Sequence, residues 1–208
     1  MARLREAVCK QCRRENEKLF LKGERCVSLK CAIEKRPFPP GEHGKKSSKT
    51  SAYSAQLREK QKAKRTYGVL EKQFRNYYEL AAKKKGITGE NLLKLLESRL
   101  DNACYRLNFA FSRAEARQMV RHKFFAVNNR MVNIPSFRLR AGDVIGLTVK
   151  GKKIARITES IKASSKAEVP DWLEVDYGKA EAKVKELPLR EQIEAPIKEQ
   201  LIVELYSK

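Results

Sequence analysis

The chain has 208 residues, with 46 Lys and Arg against 25 Asp and Glu and a formal charge of +21. Such an excess points to a polyanionic partner, nucleic acid ahead of an anionic membrane surface. No apolar run approaches the roughly eighteen residues of a spanning helix, and no charged segment leads into an apolar one at the N-terminus, so the cytosol is the expected compartment.

Residues 1–163 carry 39 Lys and Arg against 15 Asp and Glu, whereas residues 164–208 carry 7 against 10. The partner surface should therefore lie upstream. The length allows one large or two small domains, each able to bury a core.

Four of five cysteines fall in the first 31 residues, as Cys9-Lys10-Gln11-Cys12 and Cys26-Val27-Ser28-Leu29-Lys30-Cys31, thirteen residues apart. Two short-spaced pairs suit a tetrahedral four-thiolate zinc site, each pair clasping one edge of the metal. An iron–sulfur cluster fits the same donors, while disulfides are disfavoured in a reducing compartment. Lys10, Arg13, Arg14, Lys22, Arg25 and Lys30 surround the ligands and should lower the thiol pKa values. Metal binding of about 10–16 kcal/mol would hold so short a segment folded. These cations, with Arg36, are also expected to face the polyanion.

Pro37-Phe38-Pro39-Pro40-Gly41-Glu42-His43-Gly44 cannot continue a helix and should be an extended loop. Lys45, Lys46 and Lys49 follow in a segment able to order on phosphates, and His43 reads as a polar contact, since four thiolates already close the metal site.

From Tyr53 the pattern is helical, interrupted near Gly68 and stopped at Gly86. The first of these helices bears Arg58, Lys60, Lys62, Lys64 and Arg65; on the second, Phe74, Tyr77, Tyr78 and Ala81 make an apolar stripe that reads as core before base-stacking platform. Tyr53, Arg58, Lys60, Lys72 and Arg75 are candidates for the polyanion surface. Thr88 with Asn91 offers the next helix start, and Leu92, Leu93, Leu96, Leu100, Ala103 and Leu107 give one continuous buried face, with Cys104 a buried thiol in it.

Ser112 stands three residues before Glu115, a capping-box spacing that starts a helix at Arg113, with the glutamate reaching back to the serine amide. Ala116, Met119 and Val120 share one face, while Arg113, Arg117 and Arg121 stack on another. Like charges so placed repel, which suggests either a solvated face or a row of phosphate ligands suited to arginine's fork.

Phe125 and Val127 alternate into the turn pair Asn128-Asn129, then Met131, Val132 and Ile134, a hairpin. Ala141-Gly142-Asp143 turns into a strand through Val144, Ile145, Leu147 and Val149. Beyond Ile161 the pattern weakens; Trp172 reads as a packing anchor, and the β-branched run Gln200–Tyr206 as a closing strand.

With those residues in view, the chain resembles the bacterial ribosomal protein S4 family. The resemblance runs over nearly its whole length, through the cysteine pairs, PPGEHG, AQLREKQK, YGVLEKQFRNYY, GITGENLLKLLESRLDNACYRL, SRAEARQMVRH, NIPSFRLRAGD and EQLIVELYSK. It implies an α+β protein: a mainly helical domain with an N-terminal metal knot over residues 1–97, completed by 164–208, and an inserted small α/β S4 RNA-binding domain over 98–163.

It further implies a structural constituent of the small ribosomal subunit, not an enzyme. Such a protein binds a junction in the 5′ domain of 16S rRNA, nucleates subunit assembly and contributes to translational accuracy with protein S5. Expected neighbours are proteins S5 and S3 and the mRNA where it enters; some members repress their own operon. No membrane contact and no homo-oligomer are expected.

The resemblance puts the S4-domain RNA surface on Arg113, Arg117, Arg121, His122, Asn128 and Arg130, to which Lys123 and Arg138 are added as neighbouring cations, and the metal on Cys9, Cys12, Cys26 and Cys31: one zinc, with an iron–sulfur cluster as alternative. Lys123 and Asn129 stand where the family commonly has glycine. An S4 domain also occurs in RNA-modifying enzymes, but these need a separate catalytic domain. The sequence offers no nucleotide-binding glycine loop and only two histidines.

Overall fold

Capping chemistry and glycine placement cut the chain into short helices and strands. The computed structural model describes residues 7–45, 51–163 and 168–207. These divide into two compact units, one within Met1–Leu92 and Ala195–Lys208, the other within Leu93–Glu194.

The first unit begins with α1 (Val8–Glu15), which ends on Asn16 in the left-handed conformation, its amide donating to the Cys12 carbonyl. A 3₁₀ turn over Gly23–Cys26 and the short α2 (Ala32–Lys35) complete a knot whose small core is Cys12, Leu19, Cys31 and Ile33. In the proline-rich loop, a Cβ on Gly44 would strike the Pro39 carbonyl oxygen, so only glycine fits there.

Helix α3 (Ala52–Thr66) is capped by Ser51, whose hydroxyl accepts the Ser54 amide at 3.2 Å. It stops at Gly68, whose φ of 62° is free to glycine and costly to other residues. Helix α4 (Glu71–Ala82) buries Phe74, Tyr77 and Ala81, the stripe read as core. Helix α5 (Thr88–Glu97) follows Gly86.

The second unit begins within α5, at Leu93, and in it the expected single helix over 88–107 divides. Arg99 is extended (φ −72°, ψ 138°) and separates α5 from α6 (Leu100–Arg106). The break frees backbone groups that a helix would consume: the Leu139 amide donates to the Ser98 carbonyl at 2.8 Å and the Leu100 amide to the Phe137 carbonyl at 2.9 Å. Leucine periodicity continues through the break, which is why the sequence conceals it.

Helix α7 (Arg113–Arg121) starts as expected, with the Ser112 hydroxyl accepting the Glu115 amide at 3.3 Å. The Glu115 carboxylate, however, takes the Phe111 amide at 2.9 Å in place of the serine's own. Strands β1 (Phe125–Val127) and β2 (Arg130–Met131) form the expected hairpin. Then come β3 (Val144–Leu147), α8 (Val149–Lys152), α9 (Ala155–Ala163), β4 (Leu173–Asp176) and β5 (Glu181–Val184). Val149 thus opens a helix capped by Thr148, not a strand residue.

The five strands make one antiparallel sheet in the order β2-β1-β3-β5-β4. Because β5 pairs with β3 from Val144↔Lys183 to Gly146↔Glu181, residues 168–194 belong to the second unit. The boundary expected at 163/164 therefore falls instead at Ala195. The core packs α6 and α7 against this sheet around Phe109, Phe125, Ile145 and Trp172, the last 1% exposed.

Back in the first unit, the terminal run expected as a strand is helix α10 (Glu199–Tyr206). Tertiary packing outweighs the strand propensity of Ile202 and Val203. Ile202 is fully buried, and a Cβ on Gly89 would lie 2.6 Å from the Glu199 Cγ, so glycine admits the close approach of α10 to α5. On α3, Gln56 donates to the Glu204 carboxylate at 2.8 Å, and Tyr206 stacks on Tyr78 with centroids 4.5 Å apart.

Glu71 ties these helices together. It accepts from Lys60 at 2.7 Å, Lys64 at 3.0 Å and the Tyr206 hydroxyl at 3.1 Å. Partial burial would raise its carboxyl, but the two lysines overcome this and hold it at about 2 against the ordinary 4.5. A depressed carboxyl contributes stability that is present above the unfolded value and is lost as pH falls through the folded one. Glu71→Gln should therefore cost on the order of 1 kcal/mol at neutral pH, since the group is half in solvent. In thermal melts its deficit against the parent should vanish as pH falls from about 4.5 to about 2; a deficit constant down to the lower pH would contradict this role for the charge.

Candidate nucleic-acid interface

The arginines of α7 do not share one fate. Asp101, 4% exposed, takes Arg99 in a two-pronged pair at 3.0 and 2.7 Å, and Arg117 at 3.2 Å. Arg99 is wholly buried and Arg117 is 9% exposed, so two guanidinium groups converge on one carboxylate. Burial, with Arg99 alongside, pulls Arg117 below its ordinary pKa against the opposing pull of Asp101.

Arg113 lies over the Tyr105 ring at 4.4 Å and donates to Asn102 at 2.7 Å. Asn102 in turn donates to Glu97, which also meets Arg106 at 3.2 Å. Of the expected three-arginine ladder, Arg117 is buried, Arg113 is half-buried against Tyr105 and Asn102, and Arg121 is exposed. In this unit the geometry fixes α6 on α7.

The open cations lie at the C-terminal end of α7 and around the hairpin: Arg121, His122, Lys123, Arg130, Arg138 and Arg140 are all exposed. Asp143 ties the hairpin turn to the turn at Arg140. Its carboxylate accepts the Asn128 side-chain amide at 2.8 Å and the Arg140 backbone amide at 2.8 Å, while the Asn128 carbonyl accepts the Val144 amide at 2.9 Å. Asn128 therefore builds the turn from within. Lys123, Asn128 and Asn129 have φ of 62°, 49° and 64°. The two residues replacing glycine keep the glycine-like backbone, at a cost lower for asparagine than for lysine.

In the first unit, Lys10, Arg14, Lys22, Arg25, Lys30, Arg36, His43, Lys45, Tyr53 and Lys72 are exposed; Lys46 and Lys49 lie outside the described residues. Other candidates have internal partners. Arg58 and Arg65 meet the buried Glu15, Lys60 meets Glu71, and Arg13 donates to the Phe38 carbonyl at 3.0 Å while covering its ring at 5.1 Å. Arg75 makes an exposed i, i+4 pair with Glu79. Burial pushes the Glu15 carboxyl up against the pull of Arg58 and Arg65.

Exposed cations that sequence reasoning passed over include Arg140, Lys83–Lys85 and Lys150, Lys152 and Lys153. The lysine runs were the visible signal.

All five cysteines are free. Cys9, Cys12, Cys26 and Cys31 line one small cavity with Lys22, Arg25, Ala32 and Ile33, and the Lys22 amide donates to the Cys26 sulfur at 3.3 Å. Among the described residues no three His, Cys, Asp or Glu side chains are arranged to hold a metal ion. The donor chemistry itself, four cysteines lining one small cavity, suits a soft divalent ion. The expected lowering of thiol pKa is not found at Cys12: burial pushes it up, and negative charge on Cys26, Cys9 and Cys31 adds to the rise. Cys104 is raised further by complete burial.

Comparison with known proteins also finds two domains, meeting at 97/98, a few residues beyond the 92/93 division of the compact units. The ribosomal protein S4/S9 N-terminal domain matches residues 3–97 and the S4 domain matches residues 98–145. The chain is 59% identical over all 208 residues to the small ribosomal subunit protein uS4 of Geotalea uraniireducens, covering the whole of both chains. It is 58% identical over the same full lengths to those of Geobacter sulfurreducens and Anaeromyxobacter sp. strain K.

The chain belongs to the uS4 family. A uS4 chain needs its S4 domain folded under a large positive charge, and the Asp101 pair supplies one internal counter-charge. Asp101→Asn leaves two buried guanidinium groups short of a carboxylate, so it should cost roughly 3–5 kcal/mol and lower the melting temperature by about 10 °C. A variant melting within about 2 °C of the parent would show that the pair is not structural.

Proposed function

We propose that this chain is a non-enzymatic structural constituent of the small ribosomal subunit in the cytoplasm, binding 16S rRNA directly at a junction in its 5′ domain. The observation that carries the reading is the set of exposed cations at the end of α7 and around a hairpin whose turn is tied to Arg140 by Asp143, in a uS4-family chain. Cations on a fixed scaffold recognise folded RNA by phosphate positions and shape, without reading sequence.

The first unit adds a second field of exposed cations about the cysteine knot. Family resemblance supports a role in nucleating subunit assembly and in accuracy, neighbours S5 and S3 and incoming mRNA, and repression of the chain's own operon in some members.

Such binding releases counterions. Affinity for a 5′-domain 16S fragment should fall roughly 10³-fold or more between about 50 and 200 mM salt. A nearly salt-independent affinity would rule out the phosphate-contact mechanism.

We also propose that Cys9, Cys12, Cys26 and Cys31 hold one zinc ion. The shared cavity and the all-sulfur donor set support this. The metal would neutralise thiolates that otherwise repel one another and would staple α1 to the turn before α2. Elemental analysis should give one zinc per chain, and Cys9→Ser should lose it together with amide protection in roughly the first 40 residues. Iron with acid-labile sulfide would replace zinc by a cluster; no metal at all would refute the site.

A further inference from the structure

In the cysteine knot, one aromatic ring is set outward by a backbone conformation that aromatic residues avoid. Phe20 has φ of 49° and is 47% exposed, while its neighbour Leu19 is buried and Leu21 packs against the same small core. A bulky side chain with positive φ is an outlier in need of a reason. Burial does not supply one, because the ring gains little from the core.

Glycine or asparagine would take this backbone with less strain and expose no ring. Local folding alone therefore does not account for phenylalanine here. The surroundings are cationic: Lys22 is exposed two residues on, Arg25 is exposed, and Lys22 and Arg25 share the lining of the cysteine cavity. Of the four acids in the described knot, Glu15, Glu17 and Glu34 are paired with Arg65, Lys62 and Lys18, and Glu24 is exposed between Lys22 and Arg25, so the balance there stays positive. An apolar protein surface would have no use for such a rim, and an acidic peptide would have little use for the ring.

We propose that Phe20 is a base-stacking platform: its ring takes the face of one unpaired nucleobase of the bound RNA, while Lys22 and Arg25 take flanking phosphates. This rests on the reading of the chain as an rRNA-binding protein and adds to it a contact of a different kind. Phosphate contacts hold the backbone wherever it runs, whereas a stacked base requires a nucleotide splayed out of its helix at one place. The knot would then select a junction over a regular duplex. In the free protein the ring lies outside the small core in which Leu19 is buried and on which Leu21 packs.

The test uses the full-length, metal-loaded protein, with binding to a 16S 5′-domain fragment measured at several salt concentrations. Phe20→Ala and Phe20→Leu should each weaken binding roughly tenfold, Phe20→Trp should retain it, and the salt slope should stay unchanged because no phosphate contact is removed. Phe20→Gly separates binding from folding. It relieves the positive φ, so it should melt no lower than the parent yet bind as weakly as the alanine variant.

Parent-like affinity for the glycine and alanine variants, or full affinity for leucine with loss for tryptophan, would overturn the proposal. If the parent itself fails to bind the fragment, the functional reading fails. If the parent binds and all four variants bind alike, the stacking role alone fails.

Discussion

A chain with a formal charge of +21 must fold against its own repulsion, and it does so by setting carboxylates among cations, buried at Glu15, Asp101 and Glu97 and half in solvent at Glu71. Glu15 meets Arg58 and Arg65, Glu71 meets Lys60 and Lys64, and Asp101 meets Arg99 and Arg117. Glu97 meets Arg106 and accepts from Asn102. These groups sit where elements join: Glu15 brings α1 to α3, Glu71 joins α3, α4 and α10, and Asp101 with Glu97 fixes α6 among its neighbours. The acids are few, and their placement decides which cations are structural.

The cations left without such partners stay in solvent, where the proposed RNA surface lies. Arg121, Arg130, Arg138 and Arg140 stay exposed around a hairpin whose turn is fixed by Asp143 and Asn128, and the cysteine knot presents Lys10, Arg14, Lys22, Arg25 and Lys30. Arginine serves both purposes for one physical reason: its fork pairs with a buried carboxylate as readily as with a phosphate. A row of arginines on a helix therefore does not by itself announce a phosphate ladder. In α7 the inner residue, Arg117, is used for folding and the terminal one, Arg121, is left open.

Much of this was legible in the sequence where local chemistry decides the outcome. Ser112 and Glu115 marked the start of α7, Gly68 and Gly86 marked helix ends, Asn128-Asn129 marked the hairpin, and the Phe74–Ala81 stripe marked core. Distant partners were not legible. The break at Arg99 depends on carbonyl and amide partners some forty residues away at Phe137 and Leu139, and leucine periodicity runs straight through it. The terminal Ile202-Val203 run was read by propensity, whereas its conformation is set by packing on α3. Strands β4 and β5 join the sheet through β3, a pairing that acidic composition could not reveal. For the candidate site, charge count located the basic segments, but the split between paired and open cations depended on carboxylates brought in by the fold.

The central claim is that paired cations fold this protein and exposed ones bind RNA. The most direct measurement compares Arg117→Met with the triple variant Arg121→Gln, Arg130→Gln, Arg138→Gln, following both melting temperature and the salt slope of binding to the 16S 5′-domain fragment. The triple variant should melt like the parent and lower the slope by about 2 to 3. Arg117→Met should lose stability, and at a temperature where it remains folded it should keep the parent's slope. A triple variant with the parent's slope, or an Arg117→Met protein that melts like the parent but binds with a reduced slope, would contradict the account.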